Sequence, residues 1–342
     1  MPPSVTYALD DTDRRLLNAA QTSFPLDARP YRALGRPLGL EEDAVLERFR
    51  HLRGAGVLRQ TSAIFDTRAL GYRGTLAALR VEPERLDAAA AIVSAHPGVS
   101  HNYGRDHEYN LWFTLATPPG GEPAEAAAAL AREAGAGDVL VLPTLKVYKI
   151  GVNLDLEAPV GAEKVEGPVP GSAGHGGAVP KQVELSESDK AGVRVTQEDL
   201  GVEPEPFGAW ARALDLEVDG LFLWIEGMIR RGCCRRFASI LRHRAAGFSE
   251  NAMAVWEAPE DACDRLGAKM ASFKAVTHCY RRPVSERWPY ALFTMIHGRS
   301  AADCEAVVAA IRAETGLPAA RLVYSVREYK KERVKYFLER LP

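Results

Sequence analysis

Cysteine is missing from the first half of this 342-residue chain, and five occur in the second, at Cys233, Cys234, Cys263, Cys279 and Cys304. An odd number, with one vicinal pair and no Cys-x-x-Cys, suits reduced thiols better than a disulfide framework. Neither sign of charge prevails: 43 basic residues stand against 45 acidic ones, a net charge of −2. No whole-chain positive field therefore draws the protein onto nucleic acid. No apolar run reaches 18 residues, and the first residues lack a charged-then-apolar leader pattern. The expectation is a cytoplasmic protein with no membrane partner. Hydrophobic and charged fractions are ordinary, and the length suffices for two or more domains, each with a core.

What the chain does have, it has twice. Val99 to Thr114 reads V-S-H-N-Y-G-R-D-H-E-Y-N-L-W-F-T, an alternating pattern that fits two β-strands around a hairpin. Val276 to Arg282 repeats its first part, and Trp288 to Thr294 its second. His101 corresponds to His278, Tyr103 to Tyr280 and Arg105 to Arg282, each 177 positions on. Leu40 to Ala44 returns as Leu216 to Gly220, and Arg59 as Arg235, both shifted by 176. Val147-Tyr-Lys149 returns as Glu328-Tyr-Lys330, shifted by 181. The drift reflects small loop insertions within one shared architecture. A fused pair of such protomers most simply forms an intramolecular pseudo-dimer, each half the other's partner, with a further homodimer open.

In chain order, residues 1–66 carry short helices and a longer one with Val45, Leu46, Phe49 and Leu52 at helical spacing, then a hairpin from Val57 to Phe65. That is a winged helix-turn-helix pattern. Residues 67–156 read β-α-β-β-α-β, a ferredoxin-like order, with its last strand running unbroken from Val139 to Ile150. Six glycines and four prolines among residues 157–184 mark a flexible linker that spans roughly 30 Å. Residues 185–243 and 244–342 repeat the two modules. The expected class is thus α+β, two tandem repeats of a winged helix-turn-helix followed by a ferredoxin-like domain.

The chemistry-bearing residues gather in the duplicated hairpin. A hairpin brings His101, Tyr103, Arg105 and His107 together, a plausible acid–base and anion site. Its bland counterpart is a structural histidine repeated by common descent. His101 and His107 lack zinc-ligand spacing, whereas a heme-like iron needs one axial imidazole. Arginines crowd the same regions: Arg59, Arg68, Arg73 and Arg105 in the first half, and Arg230, Arg231, Arg235, Arg236, Arg242, Arg244, Arg281 and Arg282 in the second. They are either solvated surface or bidentate anchors for a ligand with several carboxylates. The recognition-type helices open on Glu41-Glu-Asp43 and Glu217-Val-Asp219, acids that a DNA backbone repels, so both modules are read as scaffolding.

The order of modules together with H-N-Y-x-R-x-H-x-Y-N-L-W-F-T resembles the siroheme decarboxylases, which carry an AsnC/Lrp-like fold. The first half resembles one subunit type, in His101 to Thr114 and Tyr148-Lys-Ile-Gly-Val152. The second is similar to the other, in Cys234-Arg-Arg-Phe-Ala238, Thr277-His-Cys-Tyr-Arg281 and Glu328-Tyr-Lys-Lys331. The whole is similar to the fused D–L type of heme d1 biosynthesis. The resemblance implies removal of carboxyl groups from the C12 and C18 acetates of siroheme, giving 12,18-didecarboxysiroheme without an added cofactor, the iron being part of the substrate. It also implies His101, Tyr103, His107 and His278 as catalytic groups, and Asn102, Arg105, Trp112, Arg235, Arg236, Tyr280 and Arg282 around the macrocycle. His101 or His278 is then the candidate axial ligand of the tetrapyrrole iron. The second half departs at Arg282-Pro-Val-Ser-Glu286, where nothing matches His107, so the main site is expected around His101. The rival is an AsnC/Lrp-type regulator or heme sensor, which requires salt-sensitive binding to a specific duplex.

Overall fold

The computed structural model describes residues 8–150, 163–164, 183–242, 250–318 and 320–338. Most of the expected linker, together with Arg244, lies outside them. The first half runs α1 (Asp11–Thr22), α2 (Pro30–Gly35), α3 (Glu42–Gly54), β1 (Leu58–Phe65), β2 (Arg73–Arg80), α4 (Leu86–Ala95), β3 (Val99–Arg105), β4 (Leu111–Thr117), α5 (Pro123–Glu133), β5 (Asp138–Pro143) and β6 (Lys146–Ile150). The second runs α6 (Glu187–Thr196), α7 (Gly208–Ala213), α8 (Val218–Arg230), β7 (Cys234–Leu241), β8 (Glu250–Trp256), α9 (Cys263–Ala271), β9 (Val276–Arg281), β10 (Leu292–Gly298), α10 (Ala301–Thr315) and β11 (Arg321–Lys331).

Local chemistry repeats with the sequence. Asp10 and Asp13 form a capping box at α1, and Ser186 and Asp189 do so at α6, 176 positions on. Gly56 and Gly232 follow α3 and α8 with φ of 73° and 74°, a turn that needs glycine. The expected hairpin at 57–65 is instead the single strand β1, which pairs antiparallel with β7 of the other half. Ser62 sits opposite Ala238, its own equivalent, so the pseudo-two-fold axis passes between them. The helices of both modules bury one shared apolar core around this ribbon, with Phe24, Tyr31, Phe49, Phe207 and Phe237 at its centre.

The remaining strands form one sheet in the order β5-β2-β4-β3-β11-β8-β10-β9-β6. Within it, β5-β2-β4-β3 and β11-β8-β10-β9 each have ferredoxin-like order. The unbroken strand expected at 139–150 is two strands: β5 stays on β2, whereas β6 crosses to β9 of the second half. Its equivalent β11 pairs first with β8 and then with β3 of the first half. The halves thus exchange their last strands. The ends of the order, β5 and β6, are separated only by residues 144–145, so the sheet wraps back on itself. It encloses an apolar layer from both halves that includes Trp112, Trp288, Leu140, Met253, Phe293 and Val323.

The exchanged strands are clasped alike. Tyr148 and Lys146 bond Asp264 at the start of α9, and Tyr329 and Arg327 bond Asp87 at the start of α4. Lys149 caps the end of α9 through Phe273 O, and Lys330 caps α4 through Ser94 O. Gly267 lets Tyr148 lie against its helix, since a Cβ there would come within 2.3 Å of the ring.

Candidate active site

Strand alternation sorts the hairpin motif into two faces. Asn102 faces α4, fully buried, and donates to Ala90 O at 3.1 Å and Ser94 Oγ at 3.0 Å. Its equivalent Cys279 is likewise buried under α9. Asn102 is therefore a structural residue behind the sheet, contrary to its expected place at the macrocycle. His101, Tyr103 and Arg105 face the space between the sheets and form a ladder. The rings of His101 and Tyr103 stack at 6.2 Å, and the Arg105 guanidinium lies 5.5 Å from the centre of Tyr103. His278, Tyr280 and Arg282 build the same ladder, at 5.9 Å and 5.1 Å.

Each histidine is held by the hydroxyl before it. Ser100 Oγ is 2.9 Å from His101 Nδ1, and Thr277 Oγ1 is 3.0 Å from His278 Nδ1. That fixes the rings and leaves Nε2 as the nitrogen to meet a ligand. Burial pushes His101 down to about 3, aided by the positive charges of Lys331 and Arg59 and by the facing His278. His278 is pushed down to about 4, again first by burial and then by Arg235, Lys149 and Lys331. Lys331 acts on both rings, and His278 on His101, so the two histidines lie near each other.

The ladders end on unusual cations. Arg105 is 5% exposed and Arg282 7%. Arg105 donates to Val323 O at 2.8 Å and Arg282 to Leu142 O, each a carbonyl of the other half. Among the described residues no carboxylate pairs with either, and both Nε atoms lack a partner. Burial lowers both guanidinium pKa values to about 10. A buried cation without an anion costs several kcal/mol, so an anion beside either arginine would be stabilising. Wing arginines close the ladders from the helix-turn-helix side. Arg59 reaches the fields of His101 and Tyr103, and Arg235 those of His278 and Tyr280. Arg333, which the sequence reading passed over, bonds the wing backbone at Ala63 O and lies in the field of both Arg59 and Arg235.

Other expected site residues fall elsewhere. His107 does not join His101: it lies past the end of β3, in a tight turn where its N–H donates to Arg105 O at 3.0 Å. It packs on Trp288 at 5.4 Å and accepts from the Tyr109 N–H. Trp112 is 1% exposed, bonded to Tyr109 O and packed on Trp288, which makes it core rather than a platform for a macrocycle. A β-bulge at Arg235 breaks the alternation of β7 beside Arg236, which is half-buried and meets the like charge of Arg235. Arg73, Arg230, Arg231 and Arg281 pair with Glu122, Glu226, Asp189 and Glu260 away from the ladders. Among the described residues no three His, Cys, Asp or Glu converge as a metal cluster.

Comparison with known proteins fits this geometry. An AsnC-like ligand binding domain model matches residues 69–149 and again 245–330, and a siroheme decarboxylase NirDL-like HTH domain model matches 13–59. A siroheme decarboxylase of Hydrogenobacter thermophilus is 37% identical over 95% of this chain and 95% of its own. The chain belongs to the siroheme decarboxylase family. A siroheme decarboxylase alpha subunit of Desulfovibrio desulfuricans is 42% identical and matches 44% of this chain and 86% of its own length. In this family, then, the equivalent of half the chain occurs as a separate polypeptide. The crystal structure of the siroheme decarboxylase NirDL superposes with a TM-score of 0.71 at 33% identity, covering 96% of this chain and 95% of that one. That enzyme has also been crystallised with an iron-uroporphyrin III analogue.

Proposed function

We propose that this chain decarboxylates siroheme at its C12 and C18 acetate side chains, giving 12,18-didecarboxysiroheme for heme d1 or an alternative heme. The observation that carries the reading is the paired ladder of His, Tyr and uncompensated buried Arg facing one space between the halves. A tetrapyrrole with many carboxylates supplies the anions these arginines lack, and its iron suits an imidazole whose Nδ1 is already engaged.

The reaction asks little more. Loss of carbon dioxide breaks the bond between the acetate methylene and its carboxylate carbon. The electron pair stays on the methylene carbon, and a proton delivered there makes a methyl group. His101, backed by Tyr103, is the proton donor of the main site. In the free enzyme Lys331, Arg59 and His278 help to keep His101 neutral. Carboxylates bound beside His101 offset that field and favour its protonated form, against the burial that is the first cause of its lowered pKa. His278 serves as iron ligand or anchor at the second ladder. No added cofactor enters this scheme.

The winged modules act as scaffold: their helices share one core and their strands pair across the axis. The acidic starts of α3 and α8 speak against specific duplex DNA. Five free thiols support a reducing, cytoplasmic setting, and among the described residues no helix is long and apolar enough to cross a membrane. Anaerobic incubation with siroheme, followed by mass analysis, tests the reading. The expected product has lost two carbon dioxide molecules. Unchanged siroheme together with a salt-sensitive footprint on a specific duplex would favour a regulator instead.

A further inference from the structure

The pseudo-symmetry makes the two ladders comparable residue by residue, and they differ in charge. In β1 and β7 the equivalence is fixed by hydrogen bonds: Asp66 N–H donates to Cys233 O at 2.8 Å, and Arg242 N–H donates to Val57 O at 2.9 Å. Asp66 and Arg242 therefore occupy the same place. At the second ladder Asp66 neutralises Arg235 through a 2.9 Å ion pair. At the first, Arg59 meets the like charge of Arg242 instead. In the exchanged strands Ile150 lies opposite His278, and Lys331 lies opposite His101. Directly opposed residues in an antiparallel pair share a face, so Lys331 stands beside His101 where the second ladder has an isoleucine. At the first ladder a base stands in place of an acid and a cation in place of an apolar residue, while Glu328, opposite Tyr103, stands where Val147 lies opposite Tyr280.

Resting on the reading of a polycarboxylate tetrapyrrole substrate, we infer that Lys331 and Arg242 are substrate-carboxylate anchors that make the His101 ladder the productive one of the pair. Lys331 belongs to the second half, so the first half's site is incomplete without the exchanged strand. Lys331 and Arg242 add positive charge around Arg59, against the acids Glu328 and Glu332, and such a field attracts a ligand of high negative charge more than one of low charge.

The test uses the full chain and iron uroporphyrin III, titrated by absorbance, alongside siroheme turnover. Lys331→Ile installs the residue that the fold accepts at the equivalent position. It should weaken iron uroporphyrin binding about tenfold or more, the usual scale for a charged hydrogen bond, and raise the KM for siroheme more than it lowers kcat. Arg242→Asp should act in the same direction, and Lys331→Arg should restore binding. The effect should shrink for iron coproporphyrin, which offers fewer carboxylates. Wild-type affinity in both Lys331→Ile and Arg242→Asp, in a protein that converts siroheme, overturns the inference and leaves the proposed function standing. A wild-type protein that leaves siroheme unchanged overturns the reading beneath it. Should Lys331→Ile fail to fold, Ile150→Lys decides: gain of a second, tighter porphyrin site supports the inference, and unchanged binding refutes it.

Discussion

At the scale of single residues, the account rests on side chains whose charge state is set by burial. His96, His101, His107 and His278 all lie below the ordinary histidine value of 6.5, each first because of burial. Above pH 6.5 neither folded nor unfolded chain protonates them, and their contribution to stability is intact. As pH falls toward 4, the unfolded chain takes up protons that the folded chain refuses, so stability is lost. A melting temperature that stays flat from pH 7 to 4.5 in the ligand-free protein would contradict these environments. Arg105→Met should raise the KM for siroheme while leaving the ligand-free melting temperature unchanged or higher, because an uncompensated buried charge is removed. A large fall in that melting temperature would recast Arg105 as structural. At this scale the motif told which residues recur, but not their company. Alternation alone places Asn102 behind the sheet, whereas the turn after Arg105 that carries His107 onto Trp288 left no mark in the motif. The contrast of Asp66 with Arg242 stood in the repeat at shift 176 and needed only equivalent positions to be compared for charge.

At the scale of elements, the exchanged last strands decide the site. Each brings its tyrosine to an aspartate on the other half and caps that half's helix with a lysine. Gly267→Ala would drive a Cβ to within 2.3 Å of the Tyr148 ring, so the strand must shift. The expected loss of stability is about 1–3 kcal/mol, the scale of overpacking, read by denaturant unfolding. An unchanged midpoint would show that β6 is held by other means. Helix and strand identities were legible, because α3 and α8 show helical spacing and β3 and β4 alternate. The exchange was not, since a strand's pattern shows which faces it buries and not which neighbour it joins. The wing misled for the same reason: seven residues of β1 pair with β7 rather than folding back.

At the scale of the whole molecule, the fused halves form one body by exchanging strands and sharing the wing ribbon. Neither half alone has a complete sheet, so separately expressed halves should be poorly folded and should restore siroheme conversion when co-expressed. Full activity from the first half alone would refute this. The duplication, the two-fold arrangement and the family resemblance were all legible in the 177-residue repeat of His, Tyr and Arg. The unequal charge of the two pockets was not, because it depends on which strand of one half lands beside which histidine of the other. The central claim is that one shared space holds two unequal ladders, with chemistry at His101. Anaerobic siroheme conversion by His101→Ala and His278→Ala, compared with the unaltered chain, tests it most directly. His101→Ala should fold normally and lose about 10²-fold or more in rate, the scale of a positioned general acid, with a smaller loss for His278→Ala. An active His101→Ala beside an inert His278→Ala would reverse the assignment of the two halves.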